Sequence, residues 1–158
     1  MTGGAGFIGR WVVKKLLDDG HKVWILDNLS NGSKRNIEEF INNSNLIEFT
    51  EGDIKDIATL ERLFLNKFDL CYHLAASINV QDSIDDPVTT FQNDTVGTFY
   101  VLEQCRKHNV KMVFMSTCMV YDRAKDNEGI DESHPVKPAS PYAGSKIAGE
   151  NMVLSYWY

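Results

Sequence analysis

The chain has 158 residues, 43% of them hydrophobic and 24% charged, the proportions of a soluble globular domain large enough to bury a core. A formal net charge of −6 without any basic cluster argues against nucleic acid or an anionic membrane surface as partner, and leaves room for a small anionic ligand held by backbone amides. Cys71, Cys105 and Cys118 are odd in number, widely spaced and without a C-x-x-C pair, so neither a disulfide framework nor a metal site is expected and a reduced, cytoplasmic setting fits.

Taken in chain order, Ile8, Trp11, Val12 and Leu16 recur at helical spacing and predict a helix from Ile8 to Asp19, stopped at Gly20. A β-rich run from Lys22 to Asn28 follows, closed by the turn pair Asn31-Gly32. A strand at Leu46 to Gly52, a helix at Ile57 to Leu65 and a strand at Leu70 to Ala75 continue the alternation. One long helix is expected from Pro87 to Lys107. A strand at Met112 to Ser116 leads into a polar loop, Asp122 to Ser140. The last helix opens at Ser140-Pro141, with serine as N-cap and proline in the first turn. The apolar stretch around Lys111 to Tyr121 is too short to span a bilayer. Alternating β and α units of this size predict an α/β fold, a doubly wound parallel sheet covered by helices on both faces, with residues 1–158 as one partial dinucleotide-binding domain.

The opening "MTGGAGFIG" carries the first chemistry. Gly3, Gly6 and Gly9 run directly into a helix, whose N-terminal amides and dipole favour a pyrophosphate that approaches closely. A glycine-rich turn also serves as plain packing. Asp27, at the end of the next strand, stands near the ~20-residue spacing at which a carboxylate meets an adenosine ribose hydroxyl. It would repel a 2′-phosphate, which favours NAD over NADP; a simple strand-end cap is the competing reading.

These residues resemble the extended short-chain dehydrogenase/reductase family, in particular its NAD-dependent nucleotide-sugar epimerases and dehydratases, of which UDP-glucose 4-epimerases are the nearest type. "TGGAGFIG" is similar to the family's cofactor loop, "LDNLSNG" to its second strand and turn, "GDIKD" to its adenine-contact segment and "HLAA" to the end of its fourth strand. The resemblance implies a Rossmann fold with NAD held by Gly3, Gly6, Phe7, Ile8, Gly9, Asp27, Asn28, Asp53, Ile54, Leu74, Ala75 and Ala76, together with Tyr142 and Lys146. From the residues alone, Asp53 is also readable as a turn aspartate, and His73 as a satisfied core histidine rather than a ligand.

Tyr142 and Lys146 in "SPYAGSK" stand four apart and project from one helix face, where an ammonium favours the phenolate and makes tyrosine a base. Thr117 lies just past a strand end, where open α/β sheets place their ligand crevice. The resemblance makes Thr117, Tyr142 and Lys146 a catalytic triad: Tyr142 takes a proton from a sugar hydroxyl, Thr117 hydrogen-bonds the same oxygen, and Lys146 holds the tyrosine and the nicotinamide ribose. Dehydratases of the family carry an Asp-Glu pair after the threonine, and here Cys118 and Met119 stand there, which favours epimerisation through a 4-keto sugar. Two departures from the pattern are Asp94, in place of the usual asparagine before Gly97-Thr98, and Asp122, in place of a glycine after Tyr121.

The glycine loop has no strand before it, and a 3-2-1-4-5 sheet would leave unpaired edges near Val23 and Tyr72. The first strand and the C-terminal substrate part are therefore expected to be missing, and the chain to be a fragment of a longer enzyme. The leading expectation is an NAD-dependent nucleotide-sugar epimerase. A dehydratase or decarboxylase of the same family, and a non-catalytic NAD-binding module, are the alternatives. The resemblance also implies a homodimer through the long helices.

Overall fold

The computed structural model describes residues 1–124 and 129–156. Its elements are α1 (Phe7–Asp18), β1 (Val23–Asp27), β2 (Leu46–Glu51), α2 (Ile57–Phe64), β3 (Leu70–His73), α3 (Val80–Asp85), α4 (Pro87–Phe91), α5 (Thr98–His108), β4 (Lys111–Phe114) and α6 (Pro141–Ser155). Short 3₁₀ turns cover Lys34–Asn36, Glu38–Phe40 and Cys118–Val120. Part of the predicted polar loop, residues 125–128, lies outside the described residues.

β1 pairs with β2 and β3 with β4, both in parallel. Met1 and Thr2 join the two pairs. Thr2 bridges Leu26 on one side and His73 on the other, both in parallel. The Leu26 amide donates to the Met1 carbonyl at 2.9 Å, and the Leu74 amide to the Thr2 carbonyl at 3.1 Å. The order is therefore β2, β1, Met1–Thr2, β3, β4, with two residues doing the work of a central strand. Beyond Met1 the edges of β1 and β3 part around a groove of about 760 Å³ lined by Trp24, Phe68, Leu70 and Tyr72 among others.

Alternation along β1 builds a core on each face of the sheet. Val23 and Ile25 pack with Ala5, Val13, Leu17, Ile37 and Phe40 on the α1 side. Leu26 points the other way, into Ile54, Leu60, Leu63, Phe64, Cys71, Val101 and Cys105, beneath α2 and α5. The helix starts follow local chemistry. Asp56 caps α2, Asn79 caps α3 and Ser140 caps α6, whose first residue is Pro141.

The predicted long helix runs without interruption from Pro87 to His108, but not as a uniform α-helix: Pro87–Phe91 and Thr98–His108 are α-helical and Gln92–Gly97 between them is a π-helical turn. A Cβ on Gly97 would lie 2.6 Å from Ile54 Cδ1, so backbone and Ile54 approach too closely for any side chain there. The widened turn also carries Asn93 and Asp94 inward, the kind of irregularity that recurs at functional sites.

Candidate active site

The glycine loop is built by close approach. Gly3 has φ +71°, and a Cβ there would stand 2.7 Å from the Ala75 amide. A Cβ on Gly9 would stand 2.1 Å from the Gly3 carbonyl oxygen, so α1 can dock onto the loop only without a side chain at that position. Gly6 is the N-cap of α1 and provides no side-chain cap, and the first turn holds no acidic residue. The amides at this helix end therefore remain available to an anion, and the dipole favours one. This cradle is the right shape and charge for a pyrophosphate.

One cavity gathers Gly3, Gly6, Asp27, Asn28, Ile54, Ala75 and Ala76 from the sequence-predicted set. Phe7, Ile8, Gly9, Asp53, Leu74, Tyr142 and Lys146 stand outside its lining: the Phe7 and Ile8 side chains are exposed, and Gly9 is packed against the loop. Asp27 is buried, with one carboxylate oxygen accepting the Ala5 amide at 2.9 Å and the other the Leu29 amide at 2.8 Å. It thus ties the glycine loop to the end of β1 and keeps lone pairs turned to the cavity.

Asp53 takes the Lys55 ammonium at 2.9 Å and amide at 2.8 Å, and the Asn28 side chain at 3.4 Å. Burial works against its ionisation, but these donors outweigh it and hold the carboxyl below the ordinary aspartate range. Asn93 also lines the cavity and accepts from Lys55 at 3.0 Å, a role that its position one place before the expected asparagine concealed. Asn31 and Gly32, seen in the sequence only as a turn, line the cavity too.

The second half of the site is the face of α6. Tyr142 and Lys146 lie in its first two turns and are both buried. The Lys146 ammonium stands 4.3 Å from the centroid of the Phe114 ring. Burial lowers its pKa, and the charges of Asp94 and Glu150 oppose that loss. Thr117 caps the Cys118–Val120 turn, against which α6 packs, and accepts the Met119 amide at 3.2 Å, leaving its own proton to donate. Cys118 and Met119 are exposed beside it.

Asp94 is 0% exposed. Its carboxylate takes the Ser77 amide at 2.6 Å and the Asn93 side chain at 3.2 Å, and lies 3.3 Å from the Ser145 hydroxyl, whose single proton has the Tyr142 carbonyl at 2.8 Å as its shorter acceptor. Burial raises its pKa, although those donors and Lys146 favour the charged form. In the sequence the substitution stood out only as a departure; in the structure it holds the segment after β3 through the Ser77 amide and lies beside Ser145 of α6.

The sequence model of the family described as GDP-mannose 4,6 dehydratase matches residues 1–158. The X-ray structure of Pal from Bacillus thuringiensis is 68% identical, with a TM-score of 0.96 over 99% of this chain and 50% of that one. A UDP-glucose 4-epimerase of Mycolicibacterium smegmatis is 40% identical over 99% of this chain and 50% of its own length. The UDP-glucose 4-epimerase of Thermus thermophilus, solved as a complex with NAD, is 37% identical with a TM-score of 0.89, covering 98% of this chain and 49% of that one. The chain thus spans about half the length of these relatives.

Proposed function

Because the chain belongs to the NAD-dependent epimerase/dehydratase family of short-chain dehydrogenases/reductases, we propose that it forms the cofactor-binding and proton-transfer half of a nucleotide-sugar 4-epimerase that uses NAD. The observation that supports this reading is the cavity in which the glycine cradle meets Asp27, Asn28, Ile54, Ala75 and Ala76, with Tyr142 and Lys146 buried on α6. Gly3, Gly6 and the first amides of α1 would hold the pyrophosphate, Asp27 and Asn28 the adenosine ribose, Asp53 and Ile54 the adenine, and Ala75 and Ala76 the wall toward the nicotinamide. NAD, when bound, supplies a hydride acceptor that can return what it takes.

The chain's own residues handle the proton. Tyr142 as phenolate accepts the hydroxyl proton of the sugar, and Thr117 donates a hydrogen bond to the same oxygen. Lys146 stabilises the phenolate by charge, and Asp94 and Glu150 help to keep that charge in place against burial. Return of hydride to the other face of the keto sugar gives the epimer. Elimination of water would need a carboxylate pair beside Thr117, and Cys118 and Met119 do not supply one. The dehydratase or decarboxylase and the non-catalytic NAD-binding module are the readings that the test must defeat.

The test is product analysis with a purified protein that contains this chain together with the rest of its relatives' length, using UDP-hexoses deuterated at C4. An epimer that keeps the label supports the proposal. A 4-keto-6-deoxy or decarboxylated sugar moves the assignment to the other reactions of the family, and no conversion favours the binding module. A homodimer through α4, α5 and α6 is part of the same proposal, supported by the exposed Val88, Phe91, Phe99 and Leu154 on those helices.

A further inference from the structure

We propose that His73 is a positioning residue that locks the glycine loop to the wall behind the catalytic lysine through one fixed tautomer, an inference that rests on the cofactor and catalytic roles given above. Its ring is 1% exposed and has a partner at each nitrogen: Nδ1 lies 2.6 Å from the Thr2 hydroxyl and Nε2 lies 2.9 Å from the Thr98 hydroxyl. One of these hydroxyls has its role fixed. Thr98 spends its single proton on the Asp94 main-chain carbonyl at 2.6 Å, so it can only accept from His73. Thr2 accepts the Ala75 amide at 3.3 Å and still has a proton, which a ring protonated on Nε2 alone receives at Nδ1.

Counting protons along this chain assigns the hydrogen to Nε2 and leaves Nδ1 bare. The bonds then run one way on each side of the ring: the Ala75 amide donates to Thr2 and Thr2 to Nδ1, while Nε2 donates to Thr98 and Thr98 to Asp94. Thr2 immediately precedes Gly3, and Asp94 holds Ser77 and lies beside Ser145. Segments more than 70 residues apart in the sequence are joined by three side chains, Thr2, His73 and Thr98, and the chain ends on the main-chain carbonyl of Asp94.

The ring does a second task. It stacks on Phe114 with centroids 5.9 Å apart, and the same Phe114 ring carries the Lys146 ammonium at 4.3 Å. A neutral His73 supports that ring, whereas a protonated one would place a second cation behind it. The cations that bear on His73 are Lys146 and the Met1 amine; Thr98 leads to the main-chain carbonyl of Asp94 and not to its carboxylate.

The test has two arms on the 158-residue protein. Long-range ¹⁵N NMR of labelled histidine should show His73 with a protonated Nε2 and a bare Nδ1, unchanged from pH 5.5 to 8. A proton on Nδ1, or titration in that window, overturns the proposal even if no variant folds. In the second arm, His73→Asn keeps an acceptor near the Nδ1 position for Thr2, whereas His73→Gln keeps a donor near the Nε2 position for Thr98. The asparagine variant should hold NAD affinity near that of the parent, and the glutamine variant should lose about tenfold, the effect of one unmade buried hydrogen bond next to the loop. Equal losses in both variants reduce His73 to bulk packing and overturn the positioning role. A parent protein that binds no NAD overturns the cofactor reading and the coupling to it, while the NMR arm still decides the tautomer.

Discussion

At the scale of single residues, burial decides which groups carry charge. His73 is pushed down to about 3, first by desolvation and then by the Lys146 and Met1 cations. It stays neutral in the folded protein while the unfolded chain takes up a proton below the ordinary value of 6.5. The unfolded state therefore binds more protons between pH 6.5 and 3. Stability is fully present above 6.5 and falls as the pH drops through that window, by about 1.4 kcal/mol per pH unit. Denaturant unfolding at pH 6.5 and 5 should show a loss of about 2 kcal/mol that His73→Gln abolishes. The Met1 amine, also lowered, tilts in the same direction in both proteins and cancels in the difference. Tyr142 makes a different kind of prediction. In a protein of the relatives' length, Tyr142→Phe removes the base and should cut kcat by about 10²- to 10⁴-fold while leaving NAD affinity intact, as turnover and cofactor titration would show.

At the scale of elements, the glycines of α1 and α6 separate packing from propensity. Gly9→Ala drives a methyl into the Gly3 carbonyl with no flexible side chain to yield, so thermal unfolding should report a loss of about 1–3 kcal/mol together with weakened NAD binding. Gly144 sits in α6 with nothing within 4 Å of its would-be Cβ. Gly144→Ala should therefore stabilise the protein by about 0.5–1 kcal/mol, since glycine inside a helix is less favourable than alanine. Elements of this kind were legible in the sequence because their signals are local. Ser140-Pro141 starts α6, Gly20 at φ +82° ends α1, and Asp27 closes β1. The π-helical turn inside the long helix was not legible. It coincides with contacts between segments far apart in the chain, Ile54 against Gly97 and Asp94 bonded to Ser77, whereas apolar periodicity runs smoothly from Pro87 to Lys107.

At the scale of the whole molecule, two features organise the rest. Met1 and Thr2 complete the sheet between β1 and β3, which sets Gly3 at the mouth of the cavity. The polar chain from Thr2 through His73 and Thr98 then reaches the main-chain carbonyl of Asp94, in the π-helical turn that packs against α6. The cavity residues could be named from motifs, because a phosphate loop and a strand-end carboxylate follow one another within thirty positions. The chain of hydrogen bonds could not, because threonine, histidine and aspartate at such separations have no pattern until the fold brings them together. Asn93 and Asp94 show the same limit: the sequence marks a departure at this point, and only the structure reveals that Asn93 lines the cavity while Asp94 lies beside Ser145 of α6.

The most direct test of the account is a titration of the purified 158-residue chain with NAD and with NADP, after extraction of any nucleotide that copurifies. The account predicts NAD binding, no measurable binding of NADP, and loss of the preference in Asp27→Ala, since the carboxylate beside the glycine loop is what repels a 2′-phosphate. Equal affinity for both nucleotides, or preference for NADP, would contradict it.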